Sequence, residues 1–125
     1  MTDEAIPANV RNLIFQHIDS VAHLEALLLL RANASEHWSA ERTAKRLYSS
    51  EPELASVLAD LTNSGFISVR DEASYQYSCA PDLDEAVERL ADAYSRQLIA
   101  ITNLIHSKPR RIRQFADAFK LRKDR

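Results

Sequence analysis

Trp38-Ser39-Ala40-Glu41-Arg42-Thr43-Ala44-Lys45-Arg46-Leu47-Tyr48-Ser49-Ser50-Glu51-Pro52-Glu53-Leu54-Ala55-Ser56-Val57-Leu58-Ala59-Asp60-Leu61-Thr62-Asn63-Ser64-Gly65 spells two helices and the turn between them. Ser39 offers a hydroxyl to the free N–H groups of a short helix over 40–47, with Trp38 just outside it. Tyr48-Ser49 makes the turn. Ser50 and Glu53 form a capping box, and Pro52 falls in a first turn, where its missing N–H costs nothing. Leu54, Val57, Leu58 and Leu61 then line one face of a second helix, which Asn63-Ser64-Gly65 ends. Ala44 is small enough for the two helices to cross closely, and Leu47, Leu54, Leu58 and Leu61 fill the wedge between them. Gly65 supplies the left-handed backbone that swings the chain onward.

Beyond Gly65 the chain reads as a hairpin. Positions 66–69 and 75–79 have strand composition, and the polar connection 70–74 is of hairpin length. It lacks an Asn-Gly or Asp-Gly pair, which predicts a looser tip. Phe66, Tyr75 and Tyr77 are expected to pack the hairpin onto the helices.

Upstream, Pro7 suits a first helical turn, and Val10, Leu13, Ile14, Phe15 and Ile18 come after it with helical spacing. Asp19 or Ser20 caps a second helix over 21–31. Its leucines cover nearly the whole circumference, so it is expected to be central. Downstream, Asp82 and Glu85 suggest another capping box after Pro81, opening one long helix to about residue 107. Its stripe is Leu83, Val87, Leu90, Tyr94, Leu98, Ile101 and Ile105, with a period of about 3.67 residues. Pro109 interrupts it, and residues 110–123 read as a last, basic helix.

With 125 residues, the chain is about one domain, and 46% apolar and 27% charged residues are an ordinary globular balance. A single glycine nearly excludes phosphate loops, dinucleotide fingerprints and strained nucleophile turns, which need several. A single cysteine removes intrachain disulfides and multi-cysteine zinc modules, and fits a reducing, cytoplasmic setting. The acidic start lacks a secretory pattern, and the apolar run 24–30 is far short of the ~20 residues that span a bilayer. Neither export nor a membrane span is expected.

The net charge of −2 hides a polarity: 8 of the 16 basic residues lie at 108–125, against 2 of the 18 acidic ones. The expected division is therefore a body over 1–107 and a basic tail over 108–125.

The order helix, short helix, turn, helix, hairpin resembles the winged helix-turn-helix of bacterial transcription regulators. Trp38-Ser39-Ala40-Glu41, Ala44, Leu47, Leu54, Leu58, Leu61 and Gly65-Phe66-Ile67 carry the resemblance. With one helix before it and a long one after it, the layout is similar to the MarR family, and less closely the PadR family. Thr43 departs from the pattern, which usually has a leucine there. The resemblance implies a mainly α fold with a small two-stranded hairpin, double-stranded DNA as a partner, and a homodimer built by the flanking helices.

On that basis the helix over 51–64 would read the major groove. A 100° step per residue puts Pro52, Ser56, Ala59 and Asn63 outermost. Ser56 and Asn63 are suited to base edges, while Arg42, Lys45, Arg46 and Arg70 are candidates for backbone phosphates. Glu51, Glu53 and Asp60 make the reading helix acidic, which supports an alternative: a winged-helix adaptor that binds protein and not DNA. Tyr94, Leu98, Ile101 and Ile105 are the expected dimer contacts, unless the long helix folds back within one subunit. Ile112, Phe115, Ala116 and Phe119 share one face of the basic tail. That tail would dock on its own dimer, add phosphate contacts, or bind a protein partner or an anionic membrane.

Enzymatic chemistry finds little support. His23-Leu24-Glu25 matches half of a zinc deaminase site, but the Pro-Cys-x-x-Cys half is absent. His17, His37 and His106 have no partners at metal-ligand spacing. Cys79 has only Ala80, Pro81 and Asp82 beside it, which suits a buried wing thiol better than a reactive one. Asp82, Asp84, Glu85 and Glu88 crowd a helix start, where acids complement the dipole. No catalysis, cofactor or metal is expected.

Overall fold

The computed structural model describes residues 6–71 and 73–108. Its centre is the leucine-rich helix α2 (Val21–Ala32), which buries Leu24, Ala26, Leu27 and Leu30 and packs Leu28 and Leu29 partly against the core. A helix apolar on all sides has no solvent face to offer, so the others assemble around it. Ser20, rather than Asp19, caps it by accepting from His23 N–H at 3.2 Å. The preceding helix α1 (Ala8–His17) meets α2 at 108° and buries Val10, Leu13 and Ile14.

The wedge forms as read. Helix α3 (Ala40–Leu47) is capped by Ser39, and α4 (Glu51–Asn63) by Ser50, each hydroxyl accepting the N–H three residues on. Half of the Ser50 capping box is redirected: the Glu53 carboxylate accepts from the Ser49 hydroxyl at 2.6 Å. Leu54, Val57, Leu58 and Leu61 are buried under α3 and α2. Thr43, the departure from the family pattern, is fully buried without leaving a bare hydroxyl, because Oγ1 donates to the Ser39 carbonyl at 2.7 Å.

Two residues bend the chain through positive φ. Gly65, at φ 91°, ends α4 as expected. Tyr48, at φ 57°, closes α3 in left-handed geometry that a bulky side chain rarely takes. Its N–H bonds back to the α3 carbonyls, which gives the turn between α3 and α4 its sharpness.

The wing is the antiparallel pair β1 (Ile67–Val69) and β2 (Tyr75–Tyr77), in register Ile67 to Tyr77 and Val69 to Tyr75. A third short piece, not foreseen from the sequence, joins it. Trp38 bridges Tyr75 with two backbone hydrogen bonds of 2.8 Å, pinning the segment before α3 to the wing.

The last two helices correct the sequence reading twice. The capping box at Asp82 and Glu85 does not form. Helix α5 (Pro81–Arg96) starts one residue earlier, with Ala80 as its cap residue and no side-chain cap bond. Nor is there one long helix to 107. Gln97 leaves helical geometry (φ −132°, ψ 52°), and α6 (Leu98–Ser107) begins anew. No proline or glycine stands between 82 and 107, so the break has no local cause. It has a tertiary one: redirecting α6 buries Ile101 and Ile105 in the subunit's own core. That gain, about 1.5–3 kcal/mol per side chain, exceeds the few backbone bonds lost at the break.

Candidate nucleic-acid interface

Helices α3 and α4 present their outer faces beside the wing, and the charges on them are distributed unequally. Along α4 the expected outer residues Pro52, Ser56, Ala59 and Asn63 are all exposed. Glu51 and Glu53 lie exposed at its N-terminal end, where they complement the helix dipole. Asp60 is turned elsewhere. Its carboxylate lies 2.9 Å from Nε2 of buried His23, whose Nδ1 meets the Ser20 hydroxyl at 2.7 Å. This bond between α2 and α4 was not readable from sequence, since 37 residues separate its ends. It draws one acid away from the outer face.

The basic residues of α3 differ in how free they are. Arg42 is engaged within the fold. Its guanidinium stacks 3.8 Å from the Trp38 ring centre, donates to the His37 carbonyl at 2.7 Å, and pairs with Glu36. Lys45 makes an exposed pair with Glu41, one turn back, at 3.4 Å. Arg46 is exposed and makes no ion pair among the described residues. Exposed pairs contribute roughly 0–1 kcal/mol, so Lys45 can exchange its partner for a phosphate at little cost. On the wing, Arg70 Nε donates to Gln76 Oε1 at 2.9 Å, and Gln76 in turn donates to the Ala34 carbonyl. Tyr48, at 96% exposure, stands at the tip between the two helices. The sequence reading passed over it because a turn tyrosine carries no spacing signal.

The four residues expected at a dimer contact fall into different environments. Ile101 and Ile105 are buried within the chain, and Tyr94 is half-buried with its hydroxyl donating to Glu25 at 3.3 Å. Leu98 is 54% exposed, and its neighbour Ile99, not singled out from sequence, is 71% exposed.

Lys108, counted with the basic tail, is part of the body. Its ammonium donates to the Ile14 and Ile18 carbonyls and to Asp19 Oδ1, at 2.8, 2.8 and 2.9 Å. It thereby satisfies carbonyls at the end of α1 that have no helical partner. The rest of the tail, with Arg110, Arg111, Arg113, Lys120, Arg122, Lys123, Arg125 and the apolar face through Ile112 and Phe119, lies outside the described residues.

Asp19, His23 and Asp60 bring ligand-type atoms within 4.8 Å of one another. Ser20 and Asp60 occupy both nitrogens of His23, and the Lys108 ammonium provides the positive charge beside Asp19. These contacts balance the cluster internally. Nearby, His17 accepts or donates a 3.0 Å bond with Ser64 and packs edge-on against Phe66. Burial, with Lys108 adding to it against Asp19, lowers its pKa from the usual 6.5.

Beneath the wing, Arg31 and Tyr77 both donate to Asp84 Oδ1. The Tyr77 hydroxyl and Arg31 hold the Asp84 carboxyl below its ordinary range, and burial pushes the Tyr77 hydroxyl up. Burial also raises the Cys79 thiol, so at neutral pH it is a protonated packing group beside Tyr77. An open cleft of about 840 Å3 runs between Pro7 and α5. Its charges answer one another as Glu85–Arg89 and Asp92–Arg96 pairs, at 3.3 and 3.6 Å.

This arrangement is similar to that of MepR, a transcription regulator of the Staphylococcus aureus multidrug efflux pump MepA. The likeness covers 92% of this chain and 86% of that one, with a TM-score of 0.53 and 14% sequence identity. A point variant of S. aureus MepR matches to the same extent. No family model matches the sequence, and no curated protein does. The winged helix-turn-helix with flanking helices, expected from Trp38 to Gly65, is the fold that this chain adopts. Among the described residues, no single helix is long and apolar enough to cross a membrane.

Proposed function

We propose that this protein is a DNA-binding transcription regulator that works as a homodimer in the cytoplasm. The observation that carries the reading is the pairing of an open α4 face with the basic outer face of α3 beside a wing. In such a fold α4 enters the major groove, with Ser56 and Asn63 nearest the bases. Arg46, Lys45 and Arg70 meet phosphates across the backbone, while Arg42 buttresses α3 through Trp38. The likeness to a transcription regulator over nearly the whole chain is consistent with this assignment. Leu98 and Ile99 offer exposed apolar surface for a second copy, which would set two α4 helices roughly one turn of DNA apart. The basic residues after Lys108 then form an arm separate from the body.

Affinity for genomic DNA fragments as a function of salt tests the reading. Phosphate contacts require log affinity to fall linearly with log salt. A flat response would leave no electrostatic binding, and the regulator reading with it. Exposed Glu51 and Glu53 favour a second reading, an adaptor that docks protein through α4. Under that reading Arg46→Ala leaves partner capture intact and DNA retention is nil from the start.

A further inference from the structure

Behind the outer face of α3 lies a cleft of about 470 Å3, lined by Asn33, Glu36, Trp38, Arg42, Lys45 and Arg46. Three of these six side chains are cations, against one acid. Glu36 answers Arg42, and Lys45 leans on Glu41 through an exposed pair, which leaves Arg46 uncompensated among the described residues. Trp38 adds a second, independent observation. It is only 3% exposed, yet its indole N–H has no acceptor among the described residues. Buried N–H groups nearly always have a partner, so this donor is a group waiting for one. A cleft that gathers two guanidinium forks, an ammonium and an unmatched N–H is short of negative oxygen.

We propose that this cleft binds a small oxyanion, a carboxylate or phosphate group on a free molecule, held between Arg46 and Lys45 against the Arg42–Trp38 stack. Arg46 grips it as a two-pronged donor and Lys45 as a point charge. Binding itself is independent of the regulator reading. Its consequence rests on that reading: the same cations face the DNA backbone, so anion and DNA exclude one another. The protein would then release its operator when the anion accumulates.

Trp38 is the chain's only tryptophan, so intrinsic tryptophan fluorescence reports on this cleft alone. The full-length protein is titrated with inorganic phosphate and, separately, with acetate, with sodium chloride holding ionic strength constant. A saturable change at roughly millimolar anion is expected, weakened about tenfold in Arg46→Ala. Arg46 is exposed, so its loss leaves the far-ultraviolet circular dichroism unchanged. A response that chloride reproduces, or an Arg46→Ala variant that titrates like wild type, overturns the proposal. So does a Trp38 change with a DNA duplex but with neither small anion, which would assign the cleft to backbone phosphate. If phosphate saturates the cleft while genomic fragments never bind, the anion site stands and the regulator reading falls.

Discussion

Helices α3 and α4 are built alike and equipped differently. Each begins with a serine cap, and each turns apolar residues into the same wedge: Ala44 from one, Leu54, Leu58 and Leu61 from the other. Outside the wedge they diverge. The exposed face of α3 carries Arg42, Lys45 and Arg46, whereas that of α4 carries Ser56, Ala59 and Asn63, with its exposed acids gathered at the first turn. Packing and recognition therefore sit on opposite sides of both helices, and charge is confined to one. In the proposed complex α3 supplies attraction and α4 supplies discrimination, so a change that harms one need not harm the other.

The largest expected effect removes what the helices share. Leu58 is wholly buried, and Leu58→Ala should destabilise the protein by about 2–5 kcal/mol in urea unfolding. A loss below about 1 kcal/mol would mean that the wedge is not a common core. Next comes the contrast within α3. Arg46→Ala should weaken DNA binding roughly tenfold and reduce the salt slope by about one. Arg42→Ala should act instead on folding, through a stack over Trp38 that contributes about 0.5–1 kcal/mol. If Arg42→Ala lowers the salt slope as much as Arg46→Ala does, the distinction between buttress and contact collapses.

The caps provide a matched pair. Ser39→Ala and Ser50→Ala should each cost about 1 kcal/mol of stability, measured by thermal or urea melts. A much larger loss at Ser50 than at Ser39 would show the two helices to be unequally dependent on their starts. The smallest effect lies at the far end of α4, where His17 meets Ser64. The folded state lowers the His17 pKa, so below pH 6.5 the unfolded chain holds more protons. Stability should therefore rise with pH between the folded value and 6.5, and fall as pH drops through that window. His17→Asn should flatten the dependence in unfolding series from about pH 5 to 8; an unchanged slope would place its origin elsewhere.

Much of the fold was readable because its signals are local. Ser39, Ser50 and Gly65 mark boundaries by geometry that only a few side chains satisfy, and the leucine spacing names the buried face of α4. The outward direction of Ser56 and Asn63 comes from the same periodicity. The state of the cations does not. Nothing near Arg42 in sequence distinguishes it from Arg46, and only the bridge from Trp38 to Tyr75 brings an indole beneath one guanidinium and leaves the other bare.

The chain order alone thus determined where most helices start and stop, which side of each faces inward, and that a hairpin comes after Gly65. These depend on neighbours within about four residues, where backbone hydrogen bonds and side-chain period act directly. Tertiary structure decided the break at Gln97, the recruitment of Lys108 to the end of α1, and the withdrawal of Asp60 onto His23. Each joins positions distant along the chain, and each is favourable because burial in the assembled core rewards a contact that no local segment could anticipate.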